Sequence, residues 1–156
     1  MLKSTPPQQT PKGNANKYRR YREAWTRIKK AKDDEYYFEA VTLEESIICD
    51  RLISYLVSRG VIACVDNKYL SFDNLISEWE RVTGGMPISE GNISNLQESV
   101  CEWKQLRNKV VHGMVKSCPD TELDDIQSFM EEARRAAEEG EKLARAVDNW
   151  QKKVKK

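Results

Sequence analysis

The sequence predicts an all-α protein, a helical bundle carrying an additional basic helix at its N-terminus, and three observations predict it. Apolar residues make up 39% of the 156-residue chain and charged residues 33%, a balance that suits a globular helical protein. Apolar positions recur at spacings of three and four through most of the chain. The breaks between those periodic segments carry the helix-stopping residues Gly60, Gly84-Gly85-Met86-Pro87 and Pro119.

The elements follow in order. Residues 1–16 hold too few apolar side chains to offset chain entropy and are expected to form a disordered tail. Residues 17–156 form the expected single domain. From Lys17 onward Tyr21, Trp25 and Ile28 predict a basic amphipathic helix, whose other faces carry Arg19, Arg20, Arg22, Arg27, Lys29 and Lys30. Asp33 or Asp34 is expected to cap a second helix from about 35 to 59, which Gly60 ends. The stretch from Val61 to Leu70 reads equally as a short hairpin or an irregular link. A third helix is predicted over 72–82 from Leu75, Trp79 and Val82.

Asn92 or Ser94 is expected to cap a fourth helix with the stripe Ile93, Leu96, Val100, Trp103 and Val110. The last helix is placed from Asp120 or Thr121 to about Lys152 on Leu123, Ile126, Met130, Ala133, Ala137, Ala144 and Val147. Gly140 in its middle costs about 1 kcal/mol relative to alanine, which points to a close helix contact or a bend. Two long antiparallel helices, two shorter ones and the N-terminal helix then complete the bundle.

Charge is distributed unevenly. Residues 1–32 contain ten Lys/Arg and the single acid Glu23, whereas residues 33–156 contain 16 Lys/Arg and 24 acids, although the formal net charge is only +1. A basic head on an acidic body points to a polyanionic partner, with Arg19, Arg20 and Arg22 as candidate RNA contacts. No apolar run approaches the roughly 20 residues of a membrane span, and the first residues lack the apolar core of a signal peptide, so a cytoplasmic location is expected. Cys49, Cys64, Cys101 and Cys118 are scattered, with one histidine in the chain to join them, so no metal site and no cofactor is expected.

The segment Leu106-Arg107-Asn108-Lys109-Val110-Val111-His112-Gly113 carries the chemistry. Arg107 continues the apolar stripe between Trp103 and Val110, where a guanidinium is costly without a carboxylate or a polar crevice. His112 follows five residues later, and both side chains are expected to meet in one cleft. Arg-Asn-x-x-x-His-Gly near the end of the penultimate helix of a small bundle resembles the R-x4-6-H signature of the HEPN superfamily. The resemblance covers roughly residues 35–150 and includes a long upstream helix bearing Glu44, Glu45, Ser46 and Asp50.

That resemblance implies a four-helix up-and-down bundle, a homodimer that brings two motifs together, and RNA cleavage without metal, as in toxins and phage-defence effectors. RNA supplies its own nucleophile, the 2′-OH, so the enzyme has only to move protons and stabilise charge on the phosphate. Imidazole changes charge near neutral pH, and a guanidinium clamps phosphate while staying charged. His112 is thus the expected acid or base and Arg107 the clamp, and the implied products are a 2′,3′-cyclic phosphate and a 5′-hydroxyl. Asn108 is expected to orient His112 or bind a phosphate oxygen, and one of Glu44, Glu45 and Asp50 to preset Arg107. Lys109 is a candidate contact to the RNA backbone. An antitoxin or regulatory protein is a further expected partner, but some HEPN toxins carry a modifiable tyrosine two residues after the histidine, and here Met114 occupies that place. The alternative is a non-catalytic helical module that dimerises or binds RNA or a nucleotide.

Overall fold

The computed structural model describes residues 14–63 and 70–155. These residues form five helices, α1 (Asn14–Asp33), α2 (Tyr37–Ser58), α3 (Phe72–Val82), α4 (Leu96–Gly113) and α5 (Ile126–Val154). They pack as a bundle. The only bridge between extended residues among them pairs Glu90 with Ile93 in the turn before α4. No helix among the described residues is long and apolar enough to cross a membrane.

Most residues of the stripes predicted for α3 and α4 are buried, and α2 adds a buried face of its own. Ile48, Leu52 and Leu56 of α2, Leu75 and Trp79 of α3, and Leu96, Val100, Trp103 and Val110 of α4 are all at most 1% exposed. Each such aliphatic side chain contributes roughly 1.5–3 kcal/mol by leaving water. α5 meets them with the small residues Ala133, Ala136, Ala137 and Ala144, which let the backbones approach closely. Gly140 completes that face: a methyl group there would lie 2.7 Å from the Trp103 ring and 2.8 Å from a Glu44 carboxylate oxygen. The glycine marks close contact, one of the two roles expected of it.

Contacts give the helix directions. Lys17 and Tyr21 reach Asp50 while Arg27 reaches Glu39, so α1 runs antiparallel to α2. Arg51 bonds Asp148 and Tyr55 packs on Trp150, whereas Tyr37 lies near Glu131 and Arg134, so α2 and α5 run parallel. The two longest helices were expected to be antiparallel, and this is a correction. Lys104 meets Asp73 and Gln97 meets Thr83, so α3 is antiparallel to α4 and parallel to α2; α1 and α4 are the reversed helices, and the expected up-and-down order is not kept between α2 and α3.

Several boundaries also differ from expectation. α1 begins at Asn14, so residues 14–16 belong to the helix rather than the tail; residues 1–13 lie outside the described residues, as do residues 64–69, which contain most of the ambiguous link. Neither Asp33 nor Asp34 caps α2. Instead α1 ends in paired turns, Tyr36 N–H to the Ala31 carbonyl (2.7 Å) and Glu35 N–H to the Lys32 carbonyl (3.2 Å), with Glu35 in the left-handed region at φ 62°. This is the Schellman arrangement, ordinarily built on glycine. Asn95, not Asn92 or Ser94, caps α4 by accepting from Glu98 N–H, because Glu90 and Ile93 are bonded to each other in the preceding turn. Asp125 caps α5 by accepting from Ser128 N–H at 2.9 Å. The start expected near Asp120 fails because Asp120 sits at φ 62°, and Leu123 and Ile126 stay 57% and 63% exposed instead of joining the stripe.

Candidate active site

Arg107 lies on the face of α4 turned toward α2. Its Nη2 meets Glu45 Oε2 at 2.5 Å, and its Nη1 donates to Asn108 Oδ1 at 2.7 Å. Nε is shut off from solvent with no hydrogen-bond partner among the described residues. Of the five guanidinium N–H groups, two are therefore used. The carboxylate and amide hold the fork, and the Arg107 side chain as a whole is 22% exposed. A guanidinium held in this way suits a planar oxyanion better than a free one, because less rotamer entropy is lost on binding.

His112 is exposed one residue before the end of α4. Five residues along a helix correspond to about 140° of rotation and about 7.5 Å of rise. Within one chain, then, Arg107 and His112 occupy different sides of α4, and the expected single cleft is not formed by these two groups alone. The cavity nearest the end of α4, about 390 Å³, is lined by Lys109, Gly113, Met114, Leu123, Phe129 and Glu132. Neither Arg107 nor His112 lines it, and the carboxylates Glu122, Asp124 and Glu132 outnumber the lysines Lys109 and Lys116 around it, which does not suit a phosphate.

The three carboxylates proposed to preset Arg107 divide cleanly. Glu45 does so. Asp50 is held instead by Lys17 Nζ at 2.9 Å and by the Tyr21 hydroxyl, so it fastens α1 to α2. Burial and the Asp50 carboxylate beside it push the Tyr21 phenol far up, and it stays protonated as the donor. Glu44 is fully buried under Trp103 and Gly140, and neither carboxylate oxygen has a hydrogen-bond partner among the described residues. Burial first, then the charge of Glu141, raises Glu44 to about 9, only partly offset by Lys32, so it is a neutral acid at pH 7.

Lys109 is exposed, but its ammonium is 2.8 Å from Glu132, so it serves first as a tie between α4 and α5. Arg19, Arg20 and Arg22 are exposed on α1, which packs on a different side of α2 from α4: Asp50 and Glu45, the residues that face the two helices, are about 140° apart around α2. Sequence reasoning did not single out Cys49, whose thiol is pushed up to about 12, chiefly by burial and then by the Glu45 charge. At that value the thiol stays protonated at neutral pH. Its place one turn beyond Glu45 was the available signal for its proximity to Arg107. Trp79 and Trp103 are core residues, and the Trp103 indole N–H donates to the Ala136 carbonyl at 2.8 Å. Trp150 is buried against Tyr55 and Trp79, while Trp25 lies under the Arg145 guanidinium.

Comparison with protein-family models, with curated proteins and with solved structures matches the chain to none of them.

Proposed function

We propose that this chain is a metal-independent endoribonuclease of the HEPN type whose site is completed by two copies of the chain. The observation that carries the reading is the Arg107 fork, held by Glu45 and Asn108 within an otherwise apolar stripe, on the same helix as an exposed imidazole. Because Arg107 and His112 occupy different sides of α4, the clamp of one copy serves the imidazole of the other. His112 takes the proton of the 2′-OH as that oxygen attacks the adjacent phosphorus. Arg107 holds the non-bridging oxygens as charge builds on them. The bond to the 5′ oxygen breaks, and the second copy's imidazole or a water returns a proton to the leaving group. A 2′,3′-cyclic phosphate and a 5′-hydroxyl result. The reading extends to a toxin or phage-defence effector held in check by an antitoxin, a role that rests on the resemblance alone.

The test is cleavage of mixed cellular RNA with EDTA present, followed by analysis of the ends. The reading predicts cyclic phosphate ends and loss of cleavage in His112→Ala and in Arg107→Ala. Unchanged cleavage in both variants refutes it.

A second reading has its own observation. The Arg107–Glu45 pair is also what a purely structural clasp between α2 and α4 would look like, which favours a non-catalytic module that binds RNA or a second copy. That reading predicts RNA recovered intact after tight, salt-sensitive binding.

A further inference from the structure

The eight basic residues of α1 fall into two groups. Lys17, Arg27 and Lys32 lie toward α2 and α5, and each is paired with an acid: Asp50, Glu23 and Glu39, and Glu141. Arg19, Arg20, Arg22, Lys29 and Lys30 are exposed, and none is ion-paired among the described residues. The outward group is ordered by the helix itself. Arg22 and Lys29 are seven residues apart, about two turns, and Arg19 and Lys30 are eleven apart, about three turns, so they form two rows along the axis. Arg19 to Lys30 spans roughly 16 Å. The one acid between them, Glu23, is neutralised by Arg27 at 3.1 Å. Tyr18 stands at the head of the ridge, 65% exposed, with the Arg22 guanidinium 5.9 Å from its ring centroid.

We propose that the outward face of α1 is an RNA-docking ridge, gripping the phosphate backbone with Arg19, Arg22, Lys29 and Lys30 and stacking a base on Tyr18. This rests on the reading of the chain as an RNA-acting protein and adds where the strand is held, away from Arg107 and His112. The chemistry favours RNA over the two other polyanions that such a ridge meets. A membrane-surface helix buries its apolar face in lipid, whereas the apolar face of α1 is spent on the bundle, with Ile28 and Ala31 at most 4% exposed. An exposed aromatic ring beside the guanidinium adds a stacking platform for a base, which charge pairing with an acidic protein does not call for. The acidic body, with 24 acids against 16 basic residues over residues 33–156, repels a polyanion elsewhere and steers it to this helix.

The test uses the full chain carrying His112→Ala, so that RNA stays intact, and mixed-sequence single-stranded RNA with a fluorescent end. Affinity is read by anisotropy over a series of salt concentrations with EDTA present. Adding Arg19→Gln, Arg22→Gln and Lys29→Gln together is expected to weaken binding at least tenfold at low salt. The same change should reduce the slope of log affinity against log salt by about 2, since each lost phosphate contact to a single strand removes about 0.7. Tyr18→Ala is expected to weaken binding several-fold with no change in slope. Lys142→Gln, an exposed lysine on α5, is the control and should change neither. Unchanged affinity and slope in the triple variant overturns the proposal, as does binding of the parent to anionic phospholipid vesicles but not to RNA. Because no cleavage is measured, a failure here leaves the nuclease reading standing. Conversely, cleavage that survives loss of Arg107 and His112 leaves this ridge standing.

Discussion

Arg107 Nη2 and Glu45 Oε2 meet at 2.5 Å across the seam between α4 and α2, with the two side chains 22% and 18% exposed. The contact joins the chemistry to the fold. A guanidinium in the line of Trp103 and Val110 would be expensive unpaired, and the carboxylate both neutralises it and fixes the direction of its fork. Glu45→Gln is expected to cost about 1–2 kcal/mol of stability, between the values of exposed and buried pairs. On the ribonuclease reading, RNA cleavage should fall roughly tenfold or more at temperatures where the variant is still folded. Urea unfolding and cleavage rates, measured on the same preparation, separate the two effects; full activity in a destabilised variant would assign the pair to structure alone.

Glu44 sets a pH dependence whose sign is opposite to that of an ordinary paired carboxylate. Its ordinary value near 4.5 is raised to about 9 in the folded chain, chiefly by burial. Below pH 4.5 both states hold the proton and the group contributes no pH dependence. Between 4.5 and 9 the unfolded chain releases the proton while the folded chain keeps it, so stability falls as pH rises, and the fall ends above 9. At pH 7 the cost is about 3 kcal/mol. Glu44→Gln should therefore be more stable than the parent at pH 8 and converge with it near pH 5. Parallel curves for the two proteins across that range would contradict the assignment.

Gly140→Ala tests the closest approach in the bundle. In an exposed helix this change gains about 1 kcal/mol. Here the added methyl group would sit 2.7 Å from the Trp103 ring and under 3 Å from both Glu44 oxygens, so overpacking outweighs propensity. Calorimetry should show a net loss of about 1–3 kcal/mol, and a rise in Tm would mean that α5 can move away from α4 without penalty.

Glu35→Gly should act the other way. Glu35 is exposed and holds φ 62° at the turn between α1 and α2, a conformation costing a non-glycine residue about 1–2 kcal/mol. Glycine removes that strain and returns part of it as unfolded-state entropy, for a net gain of about 0.5–1 kcal/mol. A higher urea midpoint with an unchanged slope is the expected result; a lower midpoint would place the stabilising contact on the Glu35 side chain.

The periodic features were legible in the sequence, and the long-range ones were not. α3 begins and ends where Leu75, Trp79 and Val82 place it, and the stripe through Val100, Trp103 and Val110 is buried as its spacing requires. The same stripe exposed Arg107 as an anomaly, and Glu45 was among the carboxylates able to resolve it. What periodicity cannot carry is the pairing of distant segments. Asp50 looked equally available to Arg107, but α1 supplies Lys17 and Tyr21 to it first. The parallel course of α2 and α5 depends on the connection between α2 and α3, which has no repeating pattern to read. Glu35 carries no mark of its left-handed backbone, because only glycine or asparagine would have advertised it, and so Asp33 and Asp34 looked like caps. Five residues between Arg107 and His112 did, however, already imply about 140° of separation on a continuous helix. One shared cleft within a chain would need the helix to end before His112, and α4 ends at Gly113.

The most direct measurement of the central claim is subunit mixing. Arg107→Ala and His112→Ala are each purified, mixed in equal amounts, unfolded and refolded together, and assayed on RNA in EDTA beside each variant refolded alone. If the clamp of one copy serves the imidazole of the other, each variant is nearly inactive, while mixed pairs keep one complete site and regain part of the parent activity. A mixture no more active than the two variants separately, alongside an active parent, would contradict the account.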